Sequence, residues 1–286
     1  MKSTKLNFPI LSVARAPLTR EIATVNEHGE RGTASIPAER DLTVYVDKRE
    51  LVTLMTLGAQ PELLVLGFLR NQRLVNVVGD IASITVDWDV NAASVVTHSG
   101  IDNIEARTAK KVVTTGCGQG SVFGGLMDEI DSVKLPDTRM SQADLYAITN
   151  AIRLQETTYK SAGSVHGCAL FAGTEMLMFV EDVGRHNAID TIAGWLWMQS
   201  ADVQQRTDKV FYTTGRLTSE MVIKAAQMGI AIVVSRSGIT QMGHEVAERV
   251  GLCTIGRAMN KRFLCYTAPQ RLALDPALAG SRLPAA

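Results

Sequence analysis

The run Glu181-Asp182-Val183-Gly184-Arg185-His186-Asn187-Ala188 gathers side chains able to hold a charged ligand. An apolar stretch, Met176 to Val180, delivers two carboxylates. Gly184 then permits a tight turn, and Arg185, His186 and Asn187 fall in the first turn of a predicted helix. Free N–H groups at a helix start, together with the positive end of its dipole, favour an anion. An arginine there can grip phosphate or a carboxylate through two parallel hydrogen bonds. Asp182 can pair with Arg185 or accept hydrogen bonds from a sugar or base. The spacing predicts a strand–loop–helix corner for a phosphate-bearing ligand, with Asp182, Gly184, Arg185, His186 and Asn187 as its candidate residues. It also permits a blander reading, in which Asp182 and Arg185 form a structural ion pair and His186 is a core histidine.

Two other segments have the same form. Thr214-Gly215-Arg216 and Ser235-Arg236-Ser237-Gly238 each follow an apolar run and place a small residue and an arginine at a helix start. Ligands of open α/β sheets bind outside the carboxyl ends of the strands. Two such corners in neighbouring units fit one extended anionic ligand, although surface arginines near helix starts are also common. Gly215, Arg216, Ser235 and Arg236 therefore join the candidate set. His166, ahead of a predicted strand, is a further candidate, and it reads equally well as a satisfied histidine at a strand start.

The third feature is Thr114-Thr115-Gly116-Cys117-Gly118-Gln119-Gly120-Ser121. A thiol that passes a group between macromolecules needs exposure, mobility and a lowered pKa, because the thiolate is the nucleophile. Flanking glycines supply mobility and free backbone N–H groups. A tight turn with an incidental cysteine is the competing reading. Cys168, Cys253 and Cys265 lie in apolar, strand-like runs and read as buried strand cysteines. A zinc nucleoside deaminase needs H-x-E and P-C-x-x-C. Here Cys168 stands in the glutamate position after His166, and no C-x-x-C occurs, so neither zinc hydrolysis nor a structural zinc is expected.

These segments need elements to position them. Residues 1–40 read as polar and irregular, with a turn at Glu27-His28-Gly29-Glu30. Leu42 to Asp47 alternates as a half-buried strand does. Pro61 opens a helix, and Val75 to Val90 reads as two strands, with Ile81 to Val86 the clearer. Ser141-Gln142-Ala143-Asp144 is a capping box for a helix reaching about Tyr159. Gly167–Ala172 and Met176–Val180 pair through Gly173-Thr174-Glu175, and Arg185–Met198 is helical. Strands at Val210–Thr213, Ile230–Ser235 and Leu252–Ile255 alternate with helices at Thr218–Met228 and Thr240–Val250, which stop at Gly229 and Gly251. This β-α-β-α-β order predicts parallel strands with right-handed crossovers. The predicted organisation is a β-rich N-terminal domain over 1–113, a glycine-rich cysteine loop and linker over 114–139, an α/β domain over 140–272 and a loose tail over 273–286.

With 286 residues, 46% hydrophobic and 20% charged, the chain can bury a sizeable core. Lysine plus arginine equals aspartate plus glutamate, which argues against nucleic acid as the main partner. No apolar run approaches the ~18 residues needed to cross a bilayer, and no secretory pattern opens the chain. The expectation is a soluble, cytoplasmic protein with no membrane partner.

At these residues the chain resembles the FdhD/NarQ family, the formate dehydrogenase accessory sulfurtransferases, from about Leu42 to Leu272. Glu181 to Asp190 carries the most specific match. Gly67-Phe68-Leu69, Gly163 to His166, Gly215-Arg216, Glu220-Met221-Val222, Lys224-Ala225-Ala226 and Tyr266 to Leu272 agree as well. The resemblance implies a cytidine-deaminase-like three-layer α/β domain with a mixed, largely parallel sheet, lacking the deaminase zinc and binding a nucleotide. It implies a ligand, the guanine dinucleotide form of the molybdenum cofactor, with GDP as a fragment of it. It implies transfer of sulfur from a cysteine desulfurase, through a persulfide on Cys117, to that cofactor for formate dehydrogenase, and it fits a homodimer. The family's C-G-x-C appears here as Cys117-Gly118-Gln119-Gly120, which keeps the first cysteine only. That departure leaves open a cofactor chaperone that delivers the dinucleotide without transferring sulfur. The family's usual Met-Thr-Pro reads Met55-Thr56-Leu57, and its acidic-Gly pair is replaced around Arg70-Asn71-Gln72-Arg73.

Overall fold

The computed structural model describes residues 8–101, 104, 113–114, 130–155 and 157–279. In chain order, strands β1 (Ile10–Leu11), β2 (Thr19–Val25), β3 (Arg31–Pro37), β4 (Arg40–Val46) and β5 (Arg49–Thr56) lead into helix α1 (Pro61–Asn71). Strands β6 (Ile81–Asp87), β7 (Ala92–Thr97), β8 (Val113–Thr114) and β9 (Met140–Ser141) precede helices α2 (Gln142–Leu154) and α3 (Thr158–Ala162). Next come β10 (His166–Ala172), β11 (Glu175–Asp182), α4 (Arg185–Trp197) and α5 (Ala201–Gln204). The chain closes with β12 (Lys209–Thr213), α6 (Ser219–Gln227), β13 (Ile232–Ser235), α7 (Gln241–Val250), β14 (Cys253–Met259), β15 (Arg262–Thr267) and β16 (Leu272–Ala273).

The described residues within Met1–Gly124, Thr157–Gly167 and Val180–Gln204 form one compact unit. Its sheet has the order β1-β6-β7-β4-β5-β8, with β4–β5 and β6–β7 antiparallel and β4–β7 parallel. Period-two alternation turns Leu42, Val44 and Val46 of β4 inward, where they meet Leu54, Ile84 and Val95 and the apolar side chains Leu64, Val65, Phe68 and Leu69 of α1. Pro61 occupies the first position of α1, where its missing N–H removes no helical bond.

The expected linear division, with one domain ending near 113 and the next starting near 140, differs from this partition. Helix α4 belongs with the N-terminal residues because it packs on α1 with almost no space between backbones. A Cβ added to Gly67 would lie 1.7 Å from the Asp190 carbonyl oxygen, and one on Gly194 would lie 2.0 Å from that of Leu63. Asn71 Nδ2 also donates to Asp190 Oδ1 at 2.7 Å. Only glycine at both positions allows the crossing.

The described residues within Gly125–Glu156, Cys168–Phe179 and Gln205–Ala286 form the other unit. Its sheet has the order β11-β10-β12-β13-β14-β15. β12, β13 and β14 are parallel, as the β-α-β-α-β order predicts, while β10 and β15 run antiparallel to their neighbours. Phe171, Tyr212, Ile232, Val234, Cys253 and Ile255 form its core with Leu145 and Ile148 of α2. The Ser141–Asp144 capping box is present, and Gly251 ends α7 at φ +68°.

Three local expectations differ from the structure. Residues 1–40 hold the antiparallel β2–β3 hairpin. Val78–Asp80 is a short 3₁₀ turn rather than a strand. The helix expected to reach Tyr159 stops at Leu154, and α3 starts afresh because the Thr157 side chain accepts from Lys160 N. Among the described residues no helix is long and apolar enough to cross a membrane.

Candidate anion-binding site

Strand β11 carries its apolar residues to Glu181 and Asp182, and α4 begins three residues after Asp182. Asp182 is buried at 3% exposure, so its carboxylate needs donors. Thr56 Oγ1 donates to Oδ2 at 2.5 Å and Leu57 N at 3.1 Å, while Gly184 N donates to Oδ1 at 3.0 Å and Asn187 Nδ2 at 2.9 Å. Asn187 Nδ2 also donates to the Met55 carbonyl at 2.6 Å. Burial pushes the Asp182 carboxyl above its ordinary value, and these hydrogen bonds pull the other way. Asp182 thus locks the end of β5 to the start of α4 and fixes the turn at Gly184.

The spacing did not mark Thr56 and Leu57 as partners of Asp182. The signal was nevertheless present, because period-two burial of Val52 and Leu54 places Thr56 on the same inward face. A buried hydroxyl there calls for a partner. The Leu57 N–H makes a bond for which a proline at this position would have no donor.

Glu181 faces a different task. Its Oε2 accepts from Thr158 N at 2.5 Å and its Oε1 from Tyr159 N at 3.2 Å, so it caps the first turn of α3.

Arg185 is the first residue of α4 and is 4% exposed. Among the described residues no ion pair joins it to Asp182, and its Nε has no hydrogen-bond partner. Helix α4 has no side-chain N-cap and no acidic residue in its first turn. A buried guanidinium beside the positive end of an uncapped helix is costly on its own and is stabilised by an anion. His186 and Asn187 are equally buried in the same turn. His166 starts β10, half-buried, two residues beyond Ser164 at φ +52°.

The second unit brings the other two corners together. Ser235 Oγ donates to the Gly215 carbonyl at 2.7 Å and accepts from Ser237 N at 2.9 Å. Gly215 N donates to Thr213 Oγ1 at 3.1 Å, and Arg236 N to the Thr213 carbonyl at 3.0 Å. The Arg216 and Arg236 side chains are exposed, and Arg236 Nε reaches Met259 Sδ at 3.4 Å. Thr240 caps α7 through Gly243 N, whereas α6 has no side-chain cap.

Cys117 lies outside the described residues. Cys168 and Cys253 are buried strand residues, and Cys265 is only half-buried, because β15 is an edge strand with one covered face. Among the described residues no group of three or more His, Cys, Asp or Glu is placed to hold a metal ion.

The family model described as FdhD/NarQ family matches residues 37–273. The chain is 28% identical over 258 residues to a protein of Halalkalibacterium halodurans named sulfur carrier protein FdhD, covering 89% of this chain and 94% of that one. It is 31% identical over 240 residues to the protein of that name from Bacillus subtilis, covering 82% of this chain and 88% of the relative. The fold matches a crystal structure from Desulfotalea psychrophila, provisionally named a formate dehydrogenase accessory protein. The TM-score is 0.70 at 23% identity, over 90% of this chain and 100% of that one.

Proposed function

Because the chain belongs to the FdhD/NarQ family, we propose that it is a sulfur carrier that prepares formate dehydrogenase for activity. Its cargo in this reading is the guanine dinucleotide form of the molybdenum cofactor. Arg185 and the first-turn N–H groups of α4 hold a phosphate of the dinucleotide. Gly184 lets the ligand approach the backbone, and His186 and His166 are further candidates to contact it. Asp182 and Asn187 fix the turn that presents Arg185. In the other unit, the exposed Arg216 and Arg236, with Gly215 and Ser235 at their strand ends, form a separate candidate corner for an anionic group.

The observation that carries this reading is Arg185, buried at 4% with an Nε that has no hydrogen-bond partner at the start of an uncapped helix. The parallel β12-β13-β14 core, crossed by α6 and α7, supports a cytidine-deaminase-like layering of the second unit. A homodimer fits a cofactor with two dinucleotide arms, and a cytoplasmic setting would keep the carrier thiol reduced between transfers.

The sulfur chemistry falls to Cys117. Its thiolate attacks the terminal sulfur of a cysteine desulfurase persulfide. A new S–S bond forms, the old one breaks, and the desulfurase cysteine leaves as a thiolate. The outer sulfur then passes to the cargo: the S–S bond breaks, Cys117 leaves as a thiolate, and the reduced metal of the cargo would supply the two electrons that bring the sulfur to the sulfide level. The glycine at position 120 favours one alternative, a chaperone that delivers the dinucleotide without sulfur.

Incubation with a desulfurase and cysteine, followed by mass spectrometry, separates the two. One added sulfur on the Cys117 peptide is the expected result, and none favours the chaperone. Cys117→Ala is expected to abolish maturation of formate dehydrogenase while GDP binding persists. Normal maturation with that variant would contradict the carrier role.

A further inference from the structure

Of the cysteines described, two sit together. Cys253 of β14 is fully buried and Cys265 of β15 is half-buried, and their Sγ atoms lie 3.8 Å apart. The ladder pairs Thr254 with Thr267 and Ile255 with Cys265, and the register shift between these pairs is a bulge. Cys265 packs against the apolar cluster that contains Cys253, so both thiols share one face of the sheet. β15 is the outermost strand of its sheet, and Cys265 is partly exposed whereas Cys253 is fully buried.

Neither sulfur has a place in the chemistry assigned to Cys117. We propose that Cys253 and Cys265 are a thiol–disulfide pair, in which Cys265 meets a peroxide and Cys253 resolves the product. A hydrogen bond from Cys253 holds the Cys265 thiol down to about 7, and the same contact together with burial pushes the Cys253 thiol up. Near neutral pH the half-buried Cys265 sulfur is therefore the better nucleophile.

The Cys265 thiolate attacks one peroxide oxygen. An S–O bond forms, the O–O bond breaks, hydroxide leaves, and the sulfur becomes a sulfenic acid. The Cys253 sulfur then displaces the hydroxyl group, which leaves with the Cys253 proton as water, and the S–S bond closes. The two thiols lose two electrons, and the peroxide gains them.

Closure needs the sulfurs to approach by somewhat under ~2 Å, which a half-exposed edge strand next to a bulge can accommodate. The next residue, Tyr266, packs tightly enough on Gly256 that a Cβ there would meet its ring at 2.6 Å. Its hydroxyl also lies 3.9 Å from where a Cβ of Gly238 would stand. Oxidation thus acts on the strand that lies against the Ser235–Gly238 corner.

The test is to treat the full chain with hydrogen peroxide, quench by alkylation and map the cysteines by mass spectrometry. The expected product is a Cys253–Cys265 linked peptide, lighter by two hydrogens and restored by a thiol reductant. In Cys253→Ser, Cys265 is expected to accumulate as a sulfenic acid trapped by dimedone. In Cys265→Ser, Cys253 is expected to stay reduced. In the wild-type chain, alkylation of both residues as free thiols after peroxide, or a disulfide from either of them to Cys117, would overturn the proposal without recourse to a variant.

Discussion

Two kinds of corner occur in this molecule, and they handle charge in opposite ways. In the first unit, Asp182 and Arg185 are both buried, and the carboxylate is bound by four donors while the guanidinium Nε has none. In the second, Arg216 and Arg236 are exposed, and the turns are closed by the hydroxyls of Thr213 and Ser235. A buried charge must be offset by specific partners, whereas an exposed one is offset by water and salt. In the proposed reading, the first corner would hold a ligand at a fixed position, and the second would act by longer-range attraction.

The largest effect should come from Asp182→Ala, which leaves the Thr56, Leu57, Gly184 and Asn187 donors without their acceptor. A stability loss of about 3 kcal/mol or more is expected from urea unfolding. Ser235→Ala in the second unit should cost roughly 1 kcal/mol, since it removes a single neutral hydroxyl. Similar losses for the two would erase the contrast. Gly67→Ala belongs with the severe changes, at about 3 kcal/mol or more, because its methyl group meets backbone and has to push α1 away from α4. Its effect should appear in both melting temperature and GDP affinity, since α4 carries the corner. A GDP affinity that stayed at the wild-type value in a destabilised Gly67→Ala chain would separate helix packing from the site.

Arg216→Ala and Arg236→Ala should each weaken GDP binding by less than about fivefold, with the loss fading at high salt, as befits exposed charges. A salt-independent loss would place those arginines in direct, desolvated contact with the ligand. The smallest effects concern pH and have opposite signs in the two units. The folded-state carboxyl of Asp182 is raised, so its contribution to stability is present below the ordinary carboxylate range near ~4 and is lost as pH rises through the raised value. Asp208, bound by Arg206 through Nε and Nη2 at 2.9 and 2.8 Å, is lowered. Its contribution is present above that range and is lost as pH falls through the depressed value. Melting curves of Asp182→Asn and Asp208→Asn across acid pH should flatten opposite slopes.

Much of this comparison could be read from sequence. The parallel strands at Val210, Ile232 and Cys253 followed from helices that stop at Gly229 and Gly251, and the capping box at Ser141 fixed the start of α2. The strand–turn–helix form of the Asp182 corner was equally readable, because glycine and an arginine-led first turn are local signals. What the carboxylate binds was not readable, since Thr56 lies far upstream and only the fold brings it near. The β2–β3 hairpin was missed because its residues are exposed on both faces and so lack apolar alternation. The grouping of α4 with α1 rests on Gly67 and Gly194, whose significance depends on what a Cβ would strike.

The central claim is that Arg185 is kept buried at the start of α4 for an anionic ligand. Calorimetric titration of the full chain with GDP, wild-type against Arg185→Ala, tests it most directly, with a melting curve of each unliganded protein. The expected result is affinity lower by at least about tenfold, with an unchanged or higher melting temperature because a buried cation has been removed. Equal GDP affinity in a folded Arg185→Ala chain would contradict the claim.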